Sequence, residues 1–137
     1  MGNRLARIAL AIGGSIALVL STASVANAAT PRNGVCEAGE FCLYYLQNRT
    51  GSVSDFNSSI SSYGSTLPTC YVFKGPGAGQ GTCVRNNAVS AWNRMTGHTV
   101  FVYNSASYVG TPQIFGVGQY GNLNSYNDNE SHKLITN

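Results

Sequence analysis

Short apolar runs, each bounded by Gly, Pro, Asn or Ser, follow one another along the chain after residue 28. Three of them, 41–46, 70–73 and 99–103, have the length and the β-branched or aromatic content of strands. No stretch of this part keeps apolar residues at helical spacing. The pattern therefore predicts an all-β domain built as a sandwich of short strands.

An aromatic hairpin pattern occurs twice. In the second occurrence Tyr103 is followed by Tyr108 and then by Gly110. The first occurrence lies 59 residues earlier, and three pairs of residues share this offset: Tyr44 and Tyr103, Gly51 and Gly110, Phe56 and Phe115. Arg49 stands where the second copy has Tyr108. The repeat favours two copies of one supersecondary unit within a single domain.

A polar loop follows each copy, at 86–91 in the first and at 127–132 in the second. Short Asn, Asp and Ser side chains hydrogen-bond their own backbone, so both loops are predicted to be tight arches between strands. The loop begins 42 residues after Tyr44 but 24 residues after Tyr103, so the first copy contains 18 additional residues. Cys70 and Cys83 lie in that insertion.

The N-terminal residues have the pattern of a secretory signal. Arg4 and Arg7 precede the apolar run 8–20, and residues 26–28 supply the small side chains that signal peptidase requires. The run is shorter than the ~20 residues of a membrane-spanning helix. We therefore predict a signal peptide at 1–28, a secreted domain at 29–137 and no membrane attachment after cleavage.

Charge is sparse in the predicted mature chain. The full sequence has a formal net charge of +3, and loss of Arg4 and Arg7 reduces it to +1. Nucleic-acid binding needs a clustered basic face, so the composition argues against such a partner. We expect a monomer.

All four cysteines lie in the predicted mature part. An even number in an oxidising compartment indicates two disulfides, and the sequence alone allows three pairings. Of these we predict the nearest-neighbour pairing, which joins Cys36 with Cys42 and Cys70 with Cys83. Zinc binding is disfavoured because the cysteines lack short paired spacing.

The second hairpin, taken with its polar loop 127–132, resembles a Greek-key motif of the βγ-crystallin superfamily. The signal peptide, the cysteines around 37–41, and Ser90, Trp92 and Asn93 more specifically resemble the streptomycete metalloproteinase-inhibitor family of small secreted proteins. The resemblance covers 29–137. It implies a single βγ-crystallin-like domain, in which two Greek-key motifs pack as a β-sandwich stapled by disulfides.

The same resemblance implies inhibition of an extracellular peptidase, and of a zinc metalloprotease in particular. An inhibitor needs a rigid segment that enters the protease cleft, because the ordering entropy of binding is then already spent. The segment predicted for this role is held by the Cys70–Cys83 disulfide and is centred on the bond between Cys83 and Val84, with Thr82 and Arg85 flanking it. The alternative is that this disulfide only fastens the insertion.

The polar loops of βγ-crystallins often bind calcium through oxygen ligands, so the resemblance also suggests a calcium site in each loop. The corresponding positions are Asn86, Asn87 and Ser90 in the first loop and Asn127, Asp128 and Ser131 in the second. Ala91 and His132 replace the final serine of each loop, and Asp128 alone brings negative charge to the paired positions. We therefore expect weak calcium binding or none, and no other cofactor.

The sequence offers little for catalysis. His98 is expected in a turn and His132 facing water, and no serine lies in a nucleophile-elbow motif. The carboxylates Glu37, Glu40 and Asp55 are expected at the surface. We predict that the protein is not an enzyme.

An alternative function is a secreted βγ-crystallin-like binding module without inhibitory activity. Such a module would bind through tyrosines expected at the surface, namely Tyr44, Tyr45, Tyr63 and Tyr71. Trp92, by contrast, is expected in the core.

Overall fold

The computed structural model of the protein describes residues 28–137 together with Gly14. Its strands are β1 (Phe41–Tyr44), β2 (Val53–Phe56), β3 (Ser90–Asn93), β4 (His98–Tyr103), β5 (Gln113–Phe115), β6 (Tyr120–Asn122) and β7 (Ser131–Thr136). Single 3₁₀ turns, Gln47–Arg49 and Ala106–Tyr108, follow β1 and β4. The prediction of an all-β fold is confirmed.

Two of the three predicted strand runs form strands, as β1 and β4. The third run, 70–73, does not, since Val72 forms only an isolated antiparallel bridge with Cys83. The signal peptide predicted at 1–28 falls outside the described residues except for Gly14 and Ala28. Within the described part, no helix is long and apolar enough to cross a membrane.

The strands form two antiparallel sheets, in the orders β2-β1-β3-β6 and β5-β4-β7. β6 belongs to the second copy by sequence but pairs with β3 of the first copy, with Trp92 opposite Tyr120. The first copy makes the corresponding exchange: Ile60, which follows β2, forms an isolated antiparallel bridge with His132 in β7 of the second copy. Each copy therefore places its third extended segment in the other sheet, and the two Greek-key motifs interlock.

The two hairpins have the same backbone at positions 59 apart. Asn48 and Arg49 adopt positive φ values of 55° and 59° in the first 3₁₀ turn. Their counterparts Ser107 and Tyr108 have φ values of 59° and 61° in the second. The predicted duplication is thus present in the dihedral angles as well as in the sequence.

Gly110 follows the second turn with φ of 102°, a conformation that favours glycine. A Cβ atom at this position would lie 2.8 Å from Oδ1 of Asn104. The rings of Tyr103 and Tyr108 pack against each other across the same turn, with centroids 6.0 Å apart. The aromatic pair and the glycine together fold the hairpin back on itself.

A serine near the end of each polar loop fastens the folded hairpin. The hydroxyl of Ser90 donates to the carbonyl of Leu46 at 2.6 Å and accepts from the amide of Arg49 at 2.9 Å. Ser131 makes the equivalent bonds in the second copy, at 2.6 Å and 3.3 Å. Both serines are fully buried, so these bonds replace their lost contacts with water.

One hydrophobic core fills the space between the sheets. Its fully buried aromatic and aliphatic members come from both copies and from the insertion: Phe41, Leu43, Phe56, Tyr63, Phe73, Val84 and Val100. Burying a side chain of this size contributes about 1.5–3 kcal/mol. The insertion is therefore part of the core and is not an appendage to it.

Candidate functional site

Both predicted disulfides are present in the structure. Cys36 and Cys42 have Cα atoms 5.9 Å apart, and Cys70 and Cys83 have Cα atoms 5.7 Å apart. The second bond lies within residues 61–85, which we call the insertion and which contain the 18 additional residues of the first copy. It closes the shorter loop between Cys70 and Cys83, with a sequence separation of 13, and by the chain-entropy model such a closure contributes roughly 3 kcal/mol.

Hydrogen bonds tie the insertion to the sandwich on both sides of the disulfide. The amide of Tyr63 donates to the carbonyl of Glu130 at 3.0 Å. The amides of Lys74 and Gly75 both donate to the carbonyl of Val53, at 2.9 Å and 3.1 Å. These bonds, added to the disulfide, hold the insertion in one geometry.

The longest exposed loop in the first half of the insertion is 65–69, in which every residue is exposed. The carbonyl of Thr66 accepts hydrogen bonds from the amides of Thr69 and Cys70, at 3.1 Å and 2.9 Å. The amide of Tyr71 donates to the carbonyl of Tyr63 at 2.8 Å and closes the base of the loop. The loop is therefore exposed but internally bonded.

A groove separates this loop from the predicted inhibitory segment. One bank consists of residues 65–67, and the other includes Gln80, Thr82 and Cys83. The side chains of Thr82 and Cys83 are partly exposed. We call residues 65–69 and 80–83 together the insertion face.

Val84 lies on the opposite side of its strand-like segment and is fully buried in the core. Its amide donates to the carbonyl of Tyr71 at 2.7 Å, and its carbonyl accepts from the amide of Asn87 at 3.1 Å. The expectation that Val84 is presented to a protease is therefore wrong for its side chain. Thr82 and Cys83 remain available.

Arg85 ends the segment with an ion pair. Its Nη2 lies 2.8 Å from Oε1 of Glu130, and both side chains are partly exposed. This contact holds the pKa of Glu130 below its usual value, first through the hydrogen bond from Arg85. The Glu130 carboxylate also accepts from the amide of Ala106 at 3.1 Å, so the pair links the insertion to the second hairpin.

The two polar loops, 86–91 and 127–132, bond to each other reciprocally. The amide of Asn86 donates to the carbonyl of Asn129 at 2.8 Å, and the amide of Asn127 donates to the carbonyl of Ala88 at 3.0 Å. The buried amide group of Asn129 accepts from the Ala88 amide and donates to the Val84 carbonyl, both at 3.0 Å. The arches thus form a joint between the two motifs.

Several of the side chains predicted to bind calcium already have hydrogen-bond partners within the protein. The hydroxyls of Ser90 and Ser131 are already bonded to the hairpins, and the amide nitrogen of Asn87 donates to two carbonyls near its own loop, at 2.9 Å and 3.1 Å. Asp128 is exposed. Among residues 28–137 no cluster of three His, Cys, Asp or Glu could hold a metal ion. Weak or absent calcium binding stays a prediction.

His132 does not face water as expected but is fully buried. Its Nδ1 lies 2.8 Å from the hydroxyl of Tyr63, and its Nε2 lies 2.8 Å from the carbonyl of Ser58. The rings of Phe41 and Phe56 pack around it, with centroids 4.9 Å and 4.8 Å away. Burial lowers the pKa of His132 to about 3, so the neutral ring is a structural member of the core.

His98 also differs from expectation, because it begins β4. The carboxylates Glu40 and Asp55 were expected at the surface and are both fully buried. Asp55 accepts the amides of the N-terminal segment at 33 and 34, at 2.9 Å and 2.8 Å. Glu40 accepts the amide of Glu37 at 2.8 Å, and burial raises its pKa. Backbone donors therefore satisfy both oxygens of Asp55, whereas only Oε2 of Glu40 is bonded and its buried Oε1 has no hydrogen-bond partner in the described protein.

The tyrosine surface of the alternative function is not present as expected. Tyr63 is fully buried and Tyr44 is 8% exposed, while Tyr45 and Tyr71 are partly covered. Trp92, expected in the core, is partly exposed on the outer face of β3.

Comparisons with known proteins place this geometry in a fold class. A solved structure representing the evolution of the eye-lens βγ-crystallin domain fold superposes with a TM-score of 0.54 at 12% identity, covering 81% of this chain and 95% of its own. The N-terminal domain of protein S superposes with a TM-score of 0.52 at 12% identity, covering 71% and 96%. The chain has the βγ-crystallin fold.

A family model also matches the sequence and identifies the family within this fold class. The model of peptidase inhibitor family I36 matches residues 29–115, which include the first motif and the whole insertion. The chain belongs to peptidase inhibitor family I36. A search of curated proteins finds no significant match to the sequence.

Proposed function

We propose that the protein is a secreted inhibitor of extracellular zinc metalloproteases, and that it acts by binding rather than by catalysis. The observation that carries the proposal is membership of a peptidase inhibitor family, matched over 29–115. Two disulfides support an oxidising, extracellular location. The metalloprotease preference rests on the resemblance of the sequence to the streptomycete inhibitors.

The insertion face is the proposed contact surface. It is exposed, it belongs to the matched region, and the Cys70–Cys83 disulfide and hydrogen bonds hold it in place. A surface that is already ordered loses little conformational entropy when it enters a cleft. Within the segment predicted from sequence, Thr82 and Cys83 lie on this face and Arg85 flanks it, while the buried side chain of Val84 fixes the segment to the core.

In this proposal the mature protein is residues 29–137, released by cleavage after Ala28, and it acts as a monomer. It requires no cofactor. The proposed partner is the extracellular protease, and the proposal gives nucleic acid and membranes no role.

The proposal is tested by titrating purified mature protein against a thermolysin-like zinc protease and, separately, a subtilisin-like serine protease. We expect stoichiometric inhibition of the zinc protease and weaker inhibition of the serine protease. Equal inhibition of both would overturn the metalloprotease preference. Failure to inhibit either at micromolar concentration would overturn the function and favour a non-inhibitory βγ-crystallin-like binding module.

A further inference from the structure

The insertion face carries one large apolar side chain that nothing in the sandwich covers. Leu67 is 64% exposed, the highest value among the large hydrophobic residues of the described chain. On the groove side its neighbours are uncharged and polar, namely Ser65, Thr66 and Thr82, while Pro68 follows it and Arg32 and Lys74 lie on its other side. A large apolar side chain within a mainly polar rim is the arrangement that central interface residues commonly have.

The backbone beneath Leu67 is held on both sides. On one side, three donors converge on the carbonyl of Thr66: the amide of Thr69, its hydroxyl, and the amide of Cys70. On the other side, Cys70 is joined to Cys83, across the groove from Leu67. Leu67 is therefore displayed from a fixed loop, and little conformational freedom remains to be lost when its side chain is buried by a partner.

Val84, the apolar residue of the segment predicted from the sequence, cannot supply the side chain for such a contact. Val84 is fully buried, so its side chain can enter a protease only if the core opens. Leu67 offers a comparable apolar volume from the same disulfide-bonded insertion without any such opening.

Resting on the proposed function, we propose that Leu67 is the anchor residue of the inhibitor and that its side chain fills a hydrophobic specificity pocket of the peptidase. The partner is then a peptidase that accepts a large aliphatic side chain, and not one whose pocket selects a basic residue through a buried carboxylate. Thr82 and Cys83 line the facing bank of the groove and complete the contact around the anchor.

Leu67 variants test this assignment, with inhibition of the thermolysin-like protease as the readout. Leu67→Ala removes most of the side chain and should weaken inhibition at least tenfold, since truncation of a central anchor has that effect or more. Leu67→Asp places a charge in an apolar pocket and should weaken it at least a hundredfold. Because Leu67 is exposed, both variants should melt within a few degrees of the parent.

Val117→Asp is the matched control. Val117 is 50% exposed and lies in the turn between β5 and β6. Val117 lies near the far end of β3 from the groove. The amide of the next residue, Gly118, donates to the carbonyl of Asn93, the last residue of β3, whereas Asn87, which lines the groove, precedes the first residue of β3. The control should inhibit within twofold of the parent.

The outcomes separate the anchor from the function. Leu67 variants that inhibit as strongly as the parent overturn the anchor while leaving the inhibitor intact. Equal losses in Val117→Asp and Leu67→Asp also overturn it, because the effect would then not be specific to the insertion face. A parent that inhibits neither protease class overturns the proposed function, and the anchor with it.

Discussion

At the scale of single residues, buried polar side chains of the second arch connect distant parts of this protein. Asn129 joins the two arches, and His132 joins the second motif to Tyr63 of the insertion. Each has hydrogen-bond partners that lie more than 40 residues away in sequence. Residue type alone therefore suggests exposure, while tertiary contacts decide burial.

His132 should make the stability of the protein depend on pH. The folded ring has a pKa of about 3, whereas an exposed histidine titrates near 6.5. At pH values between these two pKa values, the His132 ring is protonated in the unfolded chain and neutral in the folded chain. The free energy of unfolding therefore falls as the pH decreases. The slope from this group reaches about 1.4 kcal/mol per pH unit. Urea unfolding at pH 7, 6 and 5 measures it.

His132→Gln is the control, because glutamine can form hydrogen bonds but does not titrate in this range. The variant retains every other titrating group, so its stability should change less between pH 7 and pH 5 than that of the parent. Parallel stability curves for the two proteins would show that His132 is not the source of the pH dependence.

At the scale of elements, the two copies contain the same stacking contact with its partners exchanged. In the first copy the guanidinium carbon of Arg49 lies 4.7 Å from the ring centroid of Trp92 on β3. In the second copy Lys133 on β7 lies 5.5 Å from the ring centroid of Tyr108. The apparent defect in the first hairpin, an arginine at the second aromatic position, is therefore compensated by an aromatic residue on the neighbouring strand.

This exchange predicts a coupling between Arg49 and Trp92. Trp92→Lys alone places a lysine beside Arg49 and should destabilise the protein. Arg49→Tyr combined with Trp92→Lys recreates the arrangement of the second copy and should recover part of that loss. The expected coupling energy is about 0.5–1 kcal/mol, measured by a double-mutant cycle of unfolding free energies. Additive single effects would mean that the contact contributes nothing of its own.

The hairpins could be predicted from sequence because the repeat of 59 residues fixes their turns, glycines and aromatic positions together. The sequence could not be used to predict that the third extended segment of each copy pairs in the other sheet. β6 has three residues, and the equivalent segment in the first copy is reduced to a bridge at Ile60. Segments this short carry no hydrophobic period, so only packing between the sheets determines where they pair.

Part of the candidate site could also be predicted from the sequence. The insertion, its disulfide and the neighbourhood of Thr82 and Cys83 were all visible in the sequence. The orientation of Val84 was not, because it depends on which side of the segment meets the core. The sequence carries one signal for the proposed role of Leu67, because it is the one large aliphatic residue in the stretch 64–69.

At the scale of the whole molecule, the two disulfides have different positions and should have different roles. Cys36–Cys42 joins the N-terminal segment to β1, whereas Cys70–Cys83 lies beneath the insertion face. The sandwich itself is held by two sheets, a shared core and the joined arches. Loss of the second disulfide should therefore affect the proposed contact surface more than the fold.

The most direct test compares inhibition of a thermolysin-like zinc protease by the parent and by the double variant Cys70→Ser with Cys83→Ser. We expect the parent to inhibit and the variant to bind at least tenfold more weakly, because its insertion face is no longer fixed. Far-ultraviolet circular dichroism should show that the variant retains the β-sandwich. A parent without inhibitory activity, or a folded variant that inhibits as strongly as the parent, would contradict an inhibitor that acts through a disulfide-held insertion face.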